Sequence, residues 1–367
     1  MHYVYITTTN YPSRDIILIE LYAGKTALRT IHEQGFSQNL FTSFLGASGG
    51  PKWFSLYGLD KYLFGDFFKD RTQELNLIGS SAGAFRSACF AQANPVAAIE
   101  RFASHYCATI YPEKPKPRDI TDKAEILLRD VVSEFGVDEI LNNPVFKAHF
   151  IVAKAKGFVQ YENTMLQGLG LAKSYVGNRI NRKHLKSQFE RFVFHHPHSE
   201  FTLQDPDNIP TQHVSLSESN LMPALLASGS IPMVMAGIQD IPGAPLGMYR
   251  DGGVIDYHFD FEIQNKGLCL YPHFNPTPKP GWFDKSSKRV ARSEHYDRTV
   301  LICPSKEFIN ALPYGKIPDR NDFVDLDVAT RQKYWNTVLQ ETERTAESLD
   351  SAIKTGEIIK LIKPLPF

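Results

Sequence analysis

The sequence predicts an α/β fold, a three-layer α/β/α sandwich around a mainly parallel central sheet. Two short apolar runs, residues 37–46 and 74–78, each lead into a glycine-rich turn, and each turn is followed by a segment with helical spacing. Two strand–turn–helix units in succession are typical of a parallel sheet covered by helices. Because parallel strands end at one edge of a sheet, both glycine-rich turns should lie at the same edge.

The later elements continue this pattern. Residues 111–207 contain an amphipathic helix (TDKAEILLRDVVSEFG) and a candidate strand (RFVFHH), and we interpret this range as an insertion. After it, SNLMPALLASGSIPMVM predicts a helix that is broken at Gly229 and Pro232. MYRDGGVIDY then predicts a strand that ends in a glycine turn, and RTVLICPS predicts a buried strand. Residues 323–353 predict one long amphipathic helix. We expect one domain over residues 1–367, with a core at 41–257 and an extension at 258–367.

Charge and cysteine usage exclude several classes of protein. The 40 basic residues balance the 40 acidic ones, so no global field draws the chain to nucleic acid. The start of the sequence lacks the basic and apolar regions of a secretion signal, and no window approaches the roughly 20 apolar residues of a spanning helix. The cysteines are scattered without a CxxC pair, which favours free thiols in the cytoplasm over disulfides or a metal site: Cys89, Cys107, Cys269 and Cys303.

The stretch GSSAG, residues 79–83, matches G-x-S-x-G, in which a serine occupies a strained turn between a strand and a helix. Glycine is needed two residues to either side because the strand and helix backbones approach closely there. In this register Ser81 is the candidate nucleophile, since choosing Ser80 would put Ile78 at a position that tolerates almost no side chain. A tight turn of small residues without chemistry is the alternative.

A second glycine-rich loop, GASGGPKW at residues 46–53, lies upstream of GSSAG and leads into a predicted helix, with Pro51 suited to the first turn of that helix. Free N–H groups at a helix start attract negative charge, so those of Ser48, Gly49 and Gly50 could form an oxyanion hole completed by the N–H of Ala82. A phosphate loop fits less well, because a proline and Trp53 stand where that motif needs glycine and a hydroxyl. A purely structural loop stays open.

A nucleophilic serine needs a group that accepts its proton. Histidines that follow at a distance, His258, His273 and His295, would suit a Ser-His-Asp arrangement, but none has a distinctive setting. Asp251 ends a predicted strand and precedes two glycines, which would let its carboxylate approach the serine closely. A carboxylate acts as a base near pH 7 only when burial raises its pKa. A simple Asp-Gly turn is the alternative.

Together these motifs resemble the patatin-like phospholipase family, whose members join a G-x-S-x-G serine to a D-G-[GA] aspartate without histidine. GASGGPK, GSSAG, ALLASGSIPMV and DGG carry the resemblance, in the family's order, over residues 41–257. The family's loop usually reads G-x-G-x-x-G, and here Ser48 and Trp53 replace its first and last glycines, while a basic residue survives as Lys52.

The resemblance implies a lipid acyl hydrolase that forms an acyl-enzyme on Ser81, with Asp251 as base and no metal or organic cofactor. Its implied partners are an acyl lipid or another ester, with room for peripheral contact with a membrane. The 25 Phe and 16 Tyr residues mostly predict core, and composition does not show whether some face lipid. A Ser-His-Asp esterase and a catalytically silent lipid- or protein-binding relative are the alternatives.

Overall fold

The computed structural model describes residues 17–264 and 266–367. The segment in which the sequence predicts no secretion signal, residues 1–15, lies outside the described residues. The strands are β1 Ile19–Ala23, β2 Phe41–Gly46, β3 Leu75–Ser80, β4 Phe146–Ala155, β5 Phe189–His195, β6 Leu203–Gln204, β7 Thr211–Ser215, β8 Ile238–Gln239, β9 Met248–Asp251, β10 Glu262–Ile263, β11 Leu268–Pro272, β12 Thr299–Pro304 and β13 Ile362–Pro364. The helices are α1 Lys25–Gln34, α2 Tyr57–Tyr62, α3 Ala82–Phe90, α4 Pro95–Ala108, α5 Pro117–Val132, α6 Gly136–Asn142, α7 Thr164–Ile180, α8 Leu221–Ser228, α9 Lys306–Ala311, α10 Asp322–Asp325, α11 Val328–Glu341, α12 Glu343–Lys354 and α13 Ile358–Leu361.

One large sheet organises the described part of the chain. Its strands run in the order β13-β1-β12-β11-β2-β3-β4-β5-β7, and β9 pairs with β4 and with β8. The five central strands, from β12 to β4, run parallel to one another. Antiparallel pairing occurs where β1 meets β12 and where β4 meets β5 and β9. The sheet is therefore mainly parallel, as the sequence predicts.

Helices flank this sheet. The central strands β2, β3, β11 and β12 are buried along almost their whole length, which a parallel strand achieves only when both faces of the sheet are covered. Helix α3 packs against β2, β3 and β4, α8 against β4 and β9, and α12 against β1. The predicted fold class, α/β with a central sheet between helices, is confirmed.

The inserted segment and the C-terminal extension contribute strands to the same sheet. Residues 111–207, interpreted from the sequence as an insertion, supply the predicted helix as α5 and the predicted strand RFVFHH as β5. They also supply β4, which pairs with β3 along its first six residues. Residues 258–367 supply β11, β13 and the predicted buried strand RTVLICPS as β12.

The prediction of one long helix over residues 323–353 is wrong. The range contains α10, α11 and α12, which are interrupted at residues 326–327 and again at Thr342. The buried Thr342 hydroxyl accepts a hydrogen bond from the backbone N–H of Gly58 (3.0 Å) and donates one to the carbonyl of Leu339 (2.7 Å). These bonds tie the junction between α11 and α12 to α2 through a hydroxyl group, which competes with helical hydrogen bonds.

All four cysteines are buried and carry free thiols. Among the described residues, none of the helices combines the length and the apolar character needed to cross a membrane.

Candidate active site

Two strands that end against the same neighbour bring the predicted serine and aspartate together. Strand β3 runs parallel to β4 and ends where Ser80 pairs with Ile151. Strand β9 runs antiparallel to β4 and ends where Asp251 pairs with Val152, the next residue along β4. The carboxyl ends of β3 and β9 therefore approach each other from opposite directions along β4, and Ser81 and Asp251 lie close together although they are 170 residues apart in sequence.

The Ser81 hydroxyl donates a hydrogen bond to Oδ2 of Asp251, with an oxygen–oxygen distance of 2.9 Å. The other carboxylate oxygen, Oδ1, accepts the backbone N–H of Gly253 at 2.7 Å. Ser81 is 4% exposed and Asp251 is 5% exposed. Both carboxylate oxygens are thus held in place, and the one that faces Ser81 is positioned to accept its proton.

The backbone of Ser81 is held in an unusual conformation, with φ 56° and ψ −126°. A non-glycine residue at positive φ costs of order 1–3 kcal/mol and persists only where its surroundings fix it. The Ser81 N–H donates to the hydroxyl of Ser228 (3.0 Å), which itself donates to the carbonyl of Ile151 (2.7 Å). Ser228 therefore holds the turn in place, and only the small residues around it mark this role in the sequence.

The glycines of the G-x-S-x-G motif admit close contact between backbones, as expected from the sequence. A Cβ atom on Gly79 would lie 2.3 Å from the carbonyl oxygen of Gly83. One on Gly83 would lie 1.8 Å from the carbonyl oxygen of Gly46, the last residue of β2. Helix α3 can begin this close to the sheet only because these positions lack side chains.

The neighbouring serine, Ser80, makes a different contact. It is fully buried, and its hydroxyl accepts a hydrogen bond from the Ser48 hydroxyl at 3.1 Å. Ser81 instead lines a cavity, so the predicted register of the motif agrees with the geometry.

The glycine-rich loop ends β2 beside this pair. Gly50 has φ +56°, a conformation that favours glycine. No hydrogen bond from the N–H of Gly49, Gly50 or Ala82 is found among residues 17–264 and 266–367. The prediction for Ser48 has to be corrected, because its N–H donates to the carbonyl of Tyr257 at 3.0 Å and is not free for an oxyanion. Its side chain instead ties the loop to β3.

A cavity of about 500 Å³ opens at Ser81 and Ala82. Its polar end also includes Gly50 and Arg320. The rest of its lining is mostly apolar, from α3–α5, the turn after α8 and the C-terminal region: Phe85, Tyr106, Ile110, Ile120, Ala124, Ile231, Val234, Met235, Phe323, Val324, Leu326 and Val328. The C-terminal extension, which no sequence motif covers, therefore forms one wall of this cavity.

Burial raises the pKa of Asp251 above its ordinary value of 3.8. The positive charge of Arg320, the hydrogen bonds from Gly253 and Ser81, and the charge of Lys285 oppose that rise. A buried carboxylate holds a proton more tightly than an exposed one, so Asp251 is a stronger base than an ordinary aspartate.

The candidate histidines make their hydrogen bonds elsewhere. His258 accepts the N–H of Lys279 (2.9 Å), His273 accepts that of Asn275 (2.9 Å), and His295 donates to Asp260 (2.9 Å). Burial lowers the pKa of His258 well below its usual range and that of His273 to about 3.

His295 lines a different and larger cavity of about 930 Å³, beside Thr299. Thr299 begins β12, whereas Ser81 follows the end of β3, and the strands from β12 to β3 are parallel. That cavity therefore lies at the opposite edge of the sheet from Ser81. Within the described residues no group of three or more His, Cys, Asp or Glu side chains could hold a metal ion.

No protein-family model and no curated protein matches the sequence. Solved structures that are similar at low identity include the following two. Human GIVD cytosolic phospholipase A2 is 11% identical over 91% of this chain and 62% of its own, with a TM-score of 0.37. VipD from Legionella pneumophila is 13% identical over 73% of this chain and 55% of its own, with a TM-score of 0.29. Both TM-scores are low, so the evidence for the fold and for the candidate site comes from the contacts within this chain.

Proposed function

We propose that the protein is a lipid acyl hydrolase that cleaves carboxylic esters, with Ser81 as nucleophile and Asp251 as base. The observation that carries the proposal is the 2.9 Å hydrogen bond between the two side chains at the polar end of a mostly apolar cavity. A serine hydroxyl hydrogen-bonded to a base is the arrangement that nucleophilic catalysis needs.

In acylation, Ser81 Oγ attacks the ester carbonyl carbon while its proton moves to Oδ2 of Asp251. The N–H groups of Gly49, Gly50 and Ala82 are proposed to stabilise the oxyanion, and each such donor is worth about 3–4 kcal/mol in a transition state. The C–O bond of the ester then breaks, and the proton on Asp251 passes to the departing alkoxide, which leaves as an alcohol. The acyl group remains on Ser81.

In deacylation, Asp251 accepts a proton from water as that water attacks the acyl-enzyme. The tetrahedral intermediate then collapses, the carboxylic acid leaves, and the proton returns to Ser81 Oγ. No metal or organic cofactor takes part. The elevated pKa of Asp251 supports this role, because a base works best when its pKa approaches the operating pH.

The cavity suits an acyl chain, since its walls beyond the polar end are mostly apolar. Four of its residues are also partly or largely exposed: Ile110, Val234, Val324 and Val328. We propose that this apolar mouth contacts a lipid surface and receives the acyl chain from it. Exposed apolar side chains gathered at a cavity mouth are typical of a binding surface.

Two further proposals concern the chain as a whole. It forms one domain, supported by the pairing of β1 with β13 in the same sheet as the central strands. It acts in the cytoplasm, supported by its four free, buried thiols.

A panel of ester lipids tests the hydrolase proposal. The wild type should release fatty acid from at least one ester, and the Ser81→Ala and Asp251→Ala variants should lose this activity while keeping the wild-type melting temperature within a few degrees. Replacing His258, His273 and His295 with alanine should leave turnover in every variant that folds. Turnover in the Ser81 variant equal to wild type, or no turnover on any ester, would end the proposal. Loss of turnover in one folded histidine variant would favour a Ser-His-Asp esterase.

A further inference from the structure

The cavity at Ser81 holds a second set of polar side chains besides those at its polar end. Tyr106, Tyr111 and Arg331 all line it, whereas the rest of its lining is mostly apolar. Tyr106 belongs to α4, Tyr111 to the loop after α4, and Arg331 to α11. We name these three residues the tyrosine–arginine cluster.

Aromatic packing gathers the three side chains around Phe323 and Trp335. The ring centre of Tyr111 lies 5.1 Å from that of Phe323, and the ring centre of Tyr106 lies 6.1 Å from that of Trp335. The guanidinium carbon of Arg331 lies 4.2 Å from the Phe323 ring centre and 4.9 Å from the Trp335 ring centre. The cluster therefore belongs to one wall of the cavity.

Arg331 carries a buried charge that has no anionic partner. The residue is 2% exposed. Among residues 17–264 and 266–367, its side chain makes no ion pair within 4 Å, and its one hydrogen bond runs from Nη2 to the carbonyl of Thr109 (2.6 Å). The carboxylate of Asp322 is occupied by Lys316 (2.6 Å) and by the indole N–H of Trp335 (2.9 Å). An unpaired charge in a protein interior is costly, so a partner that enters the cavity would offset that cost.

The hydroxyl groups of Tyr106 and Tyr111 also lack partners. Neither makes a hydrogen bond within the described part of the chain, and both oxygens keep some accessible surface. Burial raises the pKa of both side chains, so each keeps its proton and can donate it to a hydrogen bond. Buried tyrosine hydroxyls usually find an acceptor. Other tyrosines of this protein bond a backbone carbonyl in this way: Tyr249, Tyr271, Tyr296 and Tyr334.

We propose that the tyrosine–arginine cluster binds an oxygen group on the acyl part of the substrate, so that the enzyme prefers acyl chains ending in a carboxylate or a hydroxyl over plain hydrocarbon chains. This inference rests on the proposed function and specifies its substrate class. In a mostly apolar pocket, a few placed polar groups fix the orientation and identity of the ligand. The cluster supplies three such groups, and all three are donors without an acceptor.

Two oxygen groups match this arrangement. A carboxylate accepts several hydrogen bonds at once, and its charge complements that of Arg331. A hydroxyl accepts from the same donors, and the exposed Glu113, which also lines the cavity, can take its proton in a hydrogen bond. Both groups offer the cluster an acceptor oxygen, and the experiments below distinguish them.

Binding is tested first, without turnover, in the Ser81→Ala variant. Calorimetric titrations use monomethyl esters of dicarboxylic acids, from butanedioate to dodecanedioate, and methyl esters of the matching ω-hydroxy acids. At least one chain length should bind saturably. Adding Tyr111→Phe or Tyr106→Phe should weaken a carboxylate roughly 10- to 100-fold and a hydroxyl roughly 3- to 10-fold, the usual effects of losing a charged or a neutral hydrogen bond.

Tyr314→Phe is the matched control for these variants. Tyr314 is 61% exposed and is not among the residues that line the cavity, so its loss of a hydroxyl should leave binding unchanged. No saturable binding at any chain length would overturn the inference. Equal affinities in the Ser81→Ala parent and in both cluster variants would overturn it as well.

Selectivity is tested next in the active enzyme with p-nitrophenyl esters of one chain length that end in a methyl, a hydroxyl or a carboxylate group. The wild type should have a higher kcat/KM for one of the two oxygen-bearing esters than for the plain one. Arg331→Met should reduce the ratio of carboxylate to plain kcat/KM roughly 10- to 100-fold, with partial rescue by Arg331→Lys. A purely structural role of Arg331 would lower kcat/KM for all three esters alike and leave the ratio unchanged.

The outcomes separate the two proposals. If Ser81→Ala hydrolyses the plain ester as fast as the wild type, the proposed function fails. If Ser81→Ala is inactive but the wild type prefers the plain ester at every chain length, the hydrolase stands and the inference about the tyrosine–arginine cluster is wrong. The same conclusion follows if the ratios are equal in the wild type, Tyr111→Phe and Arg331→Met.

Discussion

The substitution Gly83→Ala probes the closest backbone contact of the site. The added Cβ atom would lie 1.8 Å from the carbonyl oxygen of Gly46 and 2.1 Å from its carbon. Ordinary contact begins at 3.4 Å, so the start of α3 and the end of β2 must separate by about 1.6 Å. Both neighbours are backbone atoms within paired elements, so no side chain can rotate away. Overpacking a core usually costs about 1–3 kcal/mol, and we expect at least the upper end of that range.

Urea denaturation followed by circular dichroism measures this cost, with Gly168→Ala as the matched control. Gly168 lies within α7, and a Cβ atom there would meet nothing within 4 Å. The control should gain roughly 0.5–1 kcal/mol, because alanine is less costly than glycine to fix in a helix. Gly83→Ala should therefore unfold at a clearly lower urea concentration than the wild type, and Gly168→Ala at an equal or higher one. A Gly83→Ala protein as stable as the wild type would refute the close approach of α3 to β2.

Three further predictions concern buried charges. Because the pKa of Asp251 is raised in the folded state, the protonated side chain stabilises the fold, and this stabilisation is lost as pH rises through the folded-state pKa. Asparagine stays neutral, so Asp251→Asn should raise the melting temperature measured by scanning calorimetry at pH 8, and should raise it less at pH 5. The acidic limb of kcat/KM should have its midpoint above pH 3.8, and Arg320→Ala should move it higher because the arginine lowers that pKa; an unmoved limb would contradict this. The buried side chains of Arg182 and Arg191 share the carboxylate of Asp256. Asp256→Ala should therefore lower the free energy of unfolding, measured by urea denaturation, by about 3–5 kcal/mol. The surface substitution Asp122→Ala should lower it by less than about 1 kcal/mol.

The motifs were predictable because their constraints are local. The glycines around Ser81 are needed because a side chain at either position would clash with nearby backbone. The strand, turn and helix could therefore be inferred from this motif together with the apolar run before it and the helical segment after it. The pairing of Ser81 with Asp251 was expected from the two glycines after Asp251, which let its carboxylate approach the serine, and from the resemblance to a family with a Ser-Asp pair. The antiparallel direction of β9 has no signature in its four residues and was not foreseen.

Strand β4 was missed because polar residues interrupt its apolar pattern. Lys147 and His149 are nearly or fully buried, yet they read in the sequence as surface residues. Both side chains find polar partners inside the fold: Lys147 Nζ donates to the carbonyl of Asn143 (3.0 Å), and His149 Nε2 forms a hydrogen bond with the hydroxyl of Ser199 (2.6 Å). Partners of this kind become visible only after folding. The same holds for Arg320, which reaches the glycine-rich loop from the loop before α10.

The site of covalent modification by a fluorophosphonate, located by peptide mass spectrometry, tests the Ser81–Asp251 pair most directly. The account predicts a phosphonyl adduct on Ser81 of the folded wild type, none on Ser80, and a labelling rate at least a hundred-fold lower in Asp251→Asn, on the order of the contribution of a general base. An adduct on Ser80, no adduct at all, or an undiminished rate in Asp251→Asn would contradict it.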